Sequence, residues 1–155
     1  MNHLKIKYMQ IIKDKTLINN EWTFVSDDDI VSDSGNITVS LSRWIDQQNQ
    51  LRGRSGKTGI RLTPSDDTGK LAAILSGIEL IELYFPNFGD GRHFSHARLL
   101  RNRLGFQGEI RAVGNFLPDQ IYFMSRVGIN AFQLDDHHAN EDATNYLDDF
   151  SVNYQ

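Results

Sequence analysis

The sequence of 155 residues contains no cysteine. Thiolate catalysis, disulfide bonds, iron–sulfur ligation through cysteine and sulfur-rich zinc sites are therefore excluded. The sequence also lacks a G-x-S-x-G nucleophile elbow, so no motif supports a hydrolase function. Any redox centre would have to be borrowed from another protein, and we expect no intrinsic cofactor.

Long hydrophobic runs are also missing. The longest apolar stretch, IELIELYFP, is interrupted by Glu79 and Glu82 and is too short to span a bilayer. The first residues, MNHLKIKYMQIIKDK, lack the apolar region of a secretory signal. We therefore expect a cytoplasmic protein without a membrane segment.

The basic charge is low overall and unevenly distributed. A formal net charge of -4 argues against general nucleic-acid binding, which requires a broad basic field. The basic residues concentrate in one stretch, which contains Arg92, Arg98, Arg101, Arg103 and Arg111. Acidic residues follow Arg126, namely Asp135, Asp136, Glu141, Asp142, Asp148 and Asp149. This division predicts a local anion site and an acidic C-terminal segment.

The length fits one domain over residues 1–155. Residues 1–36 contain the short β-like runs QIIKD and TFV on either side of Asn19-Asn20, and they predict an N-terminal β-hairpin and loop. Residues 37–155 predict a repeated βα core, with helices starting near residues 41, 65, 95, 118 and 143 and the strands GIRLTP, ELIELYFP, EIRAV and AFQL between them. We expect an α/β fold with a four-stranded parallel sheet and crossover helices, as an open sheet or a half-barrel. A half-barrel would form a homodimer to cover its open edges.

Each predicted strand carries one polar residue between apolar neighbours, in order Arg61, Glu82, Arg111 and Gln133. Strands covered on both faces usually read as continuous apolar runs. If the registers match, the four polar side chains form one layer on one face of the sheet. This layer is either a satisfied structural network or a pocket in which one arginine is left to bind an anion.

The stretch NFGDGR follows the strand ELIELYFP, in the position where ligands bind in open α/β sheets and α/β barrels. Its glycines permit a tight turn, and the amides at the start of the next helix favour an anion. We expect the ligand-binding residues to be Asp90, Gly91, Arg92, Ser95, Arg98 and Asn115. The alternative is a plain turn in which Asp90 or Ser95 caps the helix. The glycine spacing fits neither the dinucleotide fingerprint nor the phosphate loop.

The helical periodicity of residues 94–104 places Ser95, Arg98 and Asn102 on one polar flank and Arg101 inside the apolar arc. Arg101 should therefore reach a buried acceptor, either a carboxylate such as Asp90 or Asp119 or backbone carbonyls, in a structural role.

Histidines add two further candidates. His93 or His96 could supply a proton donor beside the loop, although a solvated histidine is the simpler interpretation. The pair His137-His138 stands in an acidic segment without cysteine, which favours a solvated pair, so we predict no metal site.

The stretch around these arginines resembles a known family. The matching positions are Phe88, Asp90-Gly91-Arg92, Ser95, Ala97-Arg98, Leu100-Arg101, Gly105, Gly108-Glu109, Arg111-Ala112, Gly114 and Asp119-Gln120, with the closing DDFSVNYQ. They are similar to the bacterial domain-of-unknown-function 934 family, whose members are commonly labelled as oxidoreductases of sulfite reduction. The resemblance implies a place in assimilatory sulfite reduction and cysteine biosynthesis but supplies no catalytic residues.

Sulfite reduction takes six electrons through siroheme and an Fe–S centre, so a chain without cysteine is not expected to be a reductase by itself. Two other functions are compatible with the resemblance. In the first, the protein is an accessory that docks on sulfite reductase or its electron donor through its acidic surface. In the second, it is a small α/β enzyme or sensor that binds a sulfur or phosphate oxyanion at the Asp90-Gly91-Arg92 loop. Whether the chain is itself an enzyme stays open.

Overall fold

The computed structural model describes residues 10–133. Its strands are β1 (Gln10–Lys13), β2 (Thr16–Asn19), β3 (Trp22–Phe24), β4 (Asn36–Ser40), β5 (Thr58–Leu62), β6 (Leu80–Phe85), β7 (Glu109–Gly114) and β8 (Ala131–Gln133). They form one sheet with the order β2-β1-β8-β7-β6-β5-β4-β3. Strands β3 to β8 run parallel, whereas β1 is antiparallel to both β8 and β2. The sheet is therefore mixed.

Helical segments lie in four of the five connections between neighbouring parallel strands, because a parallel pair needs a long crossover connection. They are α1 (Leu41–Arg52), α2 (Arg92–Arg98) and α3 (Ile121–Arg126), with 3₁₀ segments at Thr68–Ala73 and Pro118–Gln120 and a π-helical segment at Leu99–Arg103. Helix α1 begins after Ser40, whose Oγ accepts a hydrogen bond from the backbone N–H of Arg43 at 3.2 Å. The connections after β5, β6 and β7 each contain at least one short helical segment, whereas residues 25–35 between β3 and β4 contain none.

The two edges of the sheet lie close together because only Asn20 and Glu21 separate β2 from β3. Three peptide steps span at most about 11 Å, so the last Cα of β2 and the first Cα of β3 lie within that distance. These strands occupy opposite edges of the eight-stranded order. The sheet is accordingly a curled open sheet, or half-barrel.

The main core lies between the helices and one face of the sheet. Strand residues at alternate positions point toward the helices, because side chains alternate faces along a strand. This core contains Val39, Ile60, Leu62, Ile81, Leu83, Ile110 and Ala112 from the sheet and Trp44, Leu51, Leu71, Ala97, Leu100, Ile121 and Met124 from the helical segments.

The opposite face of the sheet buries a second, more polar set of side chains. Ile11, Leu80, Val113 and Ala131 are buried outside the main core cluster. The register aligns Arg61 with Glu82, and Glu82 with Arg111. Thr38, Glu82 and Arg111 are at most 2% exposed. Three of the four polar residues singled out in the sequence therefore share one row of this face.

Three expectations about the sheet need correction. It has eight strands instead of four, and β4 was not anticipated because NITVS alternates polar and apolar residues directly before a helix. The N-terminal hairpin turns at Asp14 and Lys15, both with positive φ, and not at Asn19-Asn20. It joins the main sheet through β8 and is not an appendage.

Helix bounds differ from the periodicity as well. The segment predicted to start at Ser65 is a 3₁₀ helix over Thr68–Ala73, and Asp67 caps it by accepting from the N–H of Gly69 at 2.9 Å. Helix α2 begins at Arg92 instead of Ser95. The predicted last helix, the pair His137-His138 and the acidic C-terminal segment lie outside the described residues.

Candidate functional site

The predicted loop after β6 is held together by its own side chains. Asp90 accepts hydrogen bonds from the Arg92 guanidinium at 2.6, 3.0 and 3.1 Å and from the Arg92 backbone N–H at 3.0 Å. Hydrogen bonding by Arg92 lowers the pKa of the Asp90 carboxyl to about 2. The guanidinium of Arg92 is therefore paired with Asp90, two residues earlier. Gly91 is exposed and directly precedes α2.

Asn115 and Asp119 were expected to contribute to a ligand site or pocket, but they are exposed at the ends of the strands. The Asn115 side-chain amide donates to the carbonyl of Pro86 at 3.0 Å, and its backbone N–H donates to Phe85 at 2.7 Å. Both bonds join the loop after β7 to the loop after β6. Asp119 lies in an exposed 3₁₀ turn and forms no hydrogen bond or ion pair within residues 10–133.

Ser95 and Arg98 line an open groove of about 470 Å³ together with Thr68, His96, Leu99, Asn102 and Arg103. Ser95, Leu99, Asn102 and Arg103 recur at three- or four-residue spacing, which places them on one side of the helical segment. Thr68 comes from the 3₁₀ helix that follows β5. The groove therefore lies between two segments that follow adjacent parallel strands. It contains two cations, two hydroxyls, an amide and an imidazole, but no carboxylate.

Arg98 and Arg103 differ from the other arginines of residues 10–133. Eight of the ten arginines in this range donate to a carboxylate, an amide or hydroxyl oxygen or a backbone carbonyl, or stack on an aromatic ring; these are Arg43, Arg52, Arg54, Arg61, Arg92, Arg101, Arg111 and Arg126. Arg98 and Arg103 make no such contact within the described part of the chain, and both are exposed. These two arginines, which lack such a partner among residues 10–133, line the same groove.

Two histidines in contact with each other connect this groove with the protein interior. His93 is fully buried, and its Nε2 lies 2.8 Å from the carbonyl oxygen of Tyr84. Its Nδ1 lies 3.0 Å from Nδ1 of His96. Burial lowers the pKa of His93 to about 4, although the bond to the Tyr84 carbonyl opposes this shift. His93 is therefore neutral near physiological pH.

His96 is half-buried at the wall of the groove. Burial lowers the pKa of His96, Asp66 and Asp90 oppose this shift, and Arg92 reinforces it. Because Nδ1 is engaged by His93, Nε2 is the ring nitrogen left to meet a bound group.

The polar layer on the opposite face is internally paired. Glu82 accepts from Arg61 Nε at 2.9 Å and from Thr38 Oγ1 at 2.6 Å. The Arg61 guanidinium also lies 4.0 Å from the centre of the Phe24 ring. These contacts give Arg61 and Glu82 the satisfied structural arrangement that the sequence left as one of two alternatives.

Arg111 is paired with residues that the sequence did not indicate. It donates to Glu109 at 2.6 Å and to the Asn20 side-chain oxygen at 2.8 Å. Lys13 lies 3.0 Å from the other Glu109 oxygen. Gln133 does not join this network, because Arg111 aligns with Ala131 and Gln133 aligns with Ile11.

Arg101 reaches backbone carbonyls and not Asp90 or Asp119. It donates to Gly128 at 2.9 Å and to both Phe106 and Gly108 at 2.8 Å. This arginine fixes the loop between α2 and β7 against the end of α3, which is the structural role expected of it.

Several site residues escaped sequence reasoning. Asn102 was placed on the polar flank, but Thr68 belongs to a different element and no local pattern links it to α2. The spacing of His93 and His96 was visible, yet it could not show that a backbone carbonyl orders both rings.

The described residues offer neither a metal-binding cluster nor a membrane-spanning helix. Within residues 10–133, no group of three or more His, Cys, Asp or Glu side chains could hold a metal ion. Over the same range, every helix is too short or too polar to cross a bilayer.

Comparison with known proteins identifies the family. A search of the curated proteins finds no match to this chain. The profile described as bacterial protein of unknown function (DUF934) matches residues 59–155, which is more than half of the chain. The matched range includes the loop after β6, the histidine pair and every residue that lines the groove. The chain therefore belongs to the DUF934 family of bacterial proteins.

Proposed function

We propose that the protein binds a small oxyanion, or a metabolite that carries one, in the groove between α2 and the 3₁₀ helix Thr68–Ala73. The observation that supports this most directly is that Arg98 and Arg103 line the same groove and make no hydrogen bond, ion pair or ring contact within residues 10–133. Guanidinium groups present several donors in a planar arrangement that suits sulfate- and phosphate-like groups. The Thr68 and Ser95 hydroxyls and the Asn102 amide add neutral donors in the same groove.

The ligand is proposed to be a sulfur or phosphorus oxyanion of sulfur assimilation, such as sulfite, sulfate or an adenylyl sulfate. This assignment depends on the resemblance to the family labelled with sulfite reduction. The groove differs from the loop first predicted: Ser95 and Arg98 remain in it, whereas Asp90 and Arg92 bind each other. The protein would then act as a sensor or small enzyme of this pathway.

Thermal unfolding with sulfite, sulfate, phosphate and adenylyl sulfate tests this function. A ligand at a hundred times its dissociation constant should add roughly 2.7 kcal/mol of stability. We expect this gain in the wild type and in Arg126→Ala, which removes one exposed arginine elsewhere, and its loss in the double variant Arg98→Ala/Arg103→Ala. Equal stabilisation of all three proteins, or none for any anion, would contradict the proposal.

A second candidate function is docking on sulfite reductase or its electron donor. One surface favours it: Phe88 and Leu117 are 57% and 41% exposed. Gln120 holds the two together, because its side chain donates to the Phe88 carbonyl at 3.0 Å and accepts from the Leu117 N–H at 2.8 Å. Exposed apolar side chains on neighbouring loops are typical of protein-binding surfaces.

Titration of the purified reductase and its donor with this protein tests docking. Phe88→Ser and Leu117→Ser should weaken the complex, and Ile30→Ser, which alters a 94% exposed apolar residue elsewhere, should not. A complex that weakens with salt and with charge reversal at Asp148 and Asp149 would extend the interface to the acidic C-terminal segment. Equal affinity of all variants would exclude the Phe88 surface.

A further inference from the structure

The tautomers of His93 and His96 follow from the contact between His93 and the Tyr84 carbonyl. A carbonyl oxygen only accepts hydrogen bonds, so the His93 Nε2 that lies 2.8 Å from Tyr84 O must carry a proton. Neutral His93 then has an unprotonated Nδ1 that can only accept. The 3.0 Å contact between the two Nδ1 atoms therefore requires that His96 donate through its own Nδ1–H.

This order leaves Nε2 of neutral His96 without a proton. His96 lines the groove, and Nε2 has no hydrogen-bond partner among residues 10–133. The other polar groups of the groove can all donate: Thr68, Ser95, Arg98, Asn102 and Arg103. An imidazole acceptor is thus fixed at the wall of a site that otherwise favours a fully deprotonated anion.

We propose that the groove selects an oxyanion that carries its own proton near neutral pH, with His96 Nε2 accepting that proton in a hydrogen bond. This inference rests on the proposed function of the groove and adds the protonation state of its ligand. His96 is the specificity-determining residue, and His93 is a positioning residue that fixes the tautomer. A site built around a hydrogen bond to a substrate O–H disfavours an analogue that lacks it, because the acceptor of the site loses that partner.

The charged surroundings of His96 decide how this selectivity depends on pH. His93, Asp66, Asp90 and Arg92 lie around the ring. Arg98 and Arg103 share its groove. Burial and the charge of Arg92 favour neutral His96, whereas Asp66 and Asp90 favour the cation. When His96 gains a proton at lower pH, Nε2 becomes a donor and the selectivity should disappear.

Phosphate and sulfate are suitable probes because at about pH 8 both are tetrahedral dianions and only phosphate carries a proton. Calorimetric titration of the full-length protein should give a dissociation constant roughly tenfold lower for phosphate. Sulfate should bind with uptake of about one proton, measured in buffers of different ionisation enthalpy, and phosphate with almost none. Equal affinities with equal proton uptake would overturn the inference while leaving anion binding intact.

Three variants separate the outcomes. His96→Ala should bring the two affinities to within about twofold, because no acceptor remains. His93→Gln, which keeps an acceptor for His96, should retain the preference for phosphate, and His93→Phe should lose it. Absence of binding by either anion in the wild type, with Arg98→Ala/Arg103→Ala unchanged from it, would refute the proposed function itself.

A spectroscopic measurement on the wild type does not depend on any variant folding. Imidazole ¹⁵N chemical shifts should show a protonated Nδ1 and an unprotonated Nε2 for His96, and the reverse for His93. A neutral His96 with the proton on Nε2 would overturn the inference.

Discussion

At the scale of single residues, partners decide which of the arginines is available to a ligand. Arg92 stands in the most suggestive sequence context, but Asp90 two positions earlier binds it through three side-chain hydrogen bonds. Arg98 has no acidic neighbour within hydrogen-bonding reach among the described residues. In the sequence, the Asp90–Arg92 ion pair appears only as two opposite charges with one residue between them. Whether these charges meet or point elsewhere depends on the turn that Gly91 makes between them.

His93 predicts a pH-dependent stability at this scale. Burial lowers its pKa from 6.5 to about 4, so the unfolded chain binds more protons than the folded protein between these values. Stability should be complete above about pH 6.5 and fall as the pH decreases to about 4, by at most about 3 kcal/mol. Urea unfolding over this range measures the loss. The fall should be smaller in His93→Gln, in which residue 93 no longer titrates.

Asp90 contributes to the pH dependence of stability in the same direction but at lower pH. Asp90 has a lowered pKa, so its contribution is present above 3.8 and is lost as the pH falls toward about 2. A wild type and a His93→Gln variant with the same slope between pH 6.5 and 4 would show that His93 does not titrate there.

At the scale of elements, Arg101 holds the unusual end of the helix after β6. The helix widens into a π-helical segment over Leu99–Arg103, and the N–H of Phe106 then donates to the carbonyl of Leu100 at 2.8 Å. Arg101 crosses from this segment to carbonyls of two loops. Gly128, at φ +104, comes so close that an added Cβ would lie 2.4 Å from Arg101 Cγ.

Replacing Arg101 with alanine should destabilise the protein by about 2 kcal/mol, because three carbonyls lose a charged donor. Arg103→Ala, two positions away on the exposed side, should change stability by less than about 0.5 kcal/mol. Chemical denaturation measures both free energies of unfolding. Arg103→Ala should weaken anion binding instead, so one substitution mainly affects stability and the other mainly affects anion affinity. Similar losses of stability in both would contradict the structural role of Arg101.

Sequence periodicity predicted most of the helices and strands but few of the residues at which they begin and end. The apolar arc of residues 94–104 correctly placed Arg101 inside and Ser95, Arg98 and Asn102 outside, because side-chain direction depends on local spacing. It missed the π-helical segment, in which Arg101 donates to the carbonyls of Gly128 and Gly108 in two loops. It also missed Thr68, since the approach of the two helical segments depends on the pairing of the strands that precede them.

At the scale of the whole molecule, Asn20 links three parts of the sheet. Its side-chain oxygen accepts from Arg111 in β7 at 2.8 Å and from the backbone N–H of Trp22 at 2.9 Å. Asn20 also lies in the two-residue connection between the opposite edges of the sheet. The sequence presented it as a hairpin turn, because a contact 91 positions away leaves no local pattern.

Asn20→Ala should reduce the free energy of unfolding by about 2 kcal/mol, because Arg111 and the Trp22 N–H both lose an acceptor while largely buried. Amide exchange should accelerate in both edge strands, β2 and β3. The exposed neighbour supplies the control, and Glu21→Ala should leave stability and exchange nearly unchanged. Faster exchange confined to one edge strand would show that Asn20 does not couple the two edges.

The pairing of β1 with β8 has a consequence for how the chain reaches this structure. Ile11 aligns with Gln133, so the first described strand finds its place in the sheet only beside the last. During synthesis, the hairpin of β1 and β2 must wait until residue 133 has left the ribosome. Contacts of such long sequence separation slow folding, because the entropy of closing the loop is lost before they form. The protein is therefore expected to complete its sheet after synthesis of this region and not progressively from the N-terminus.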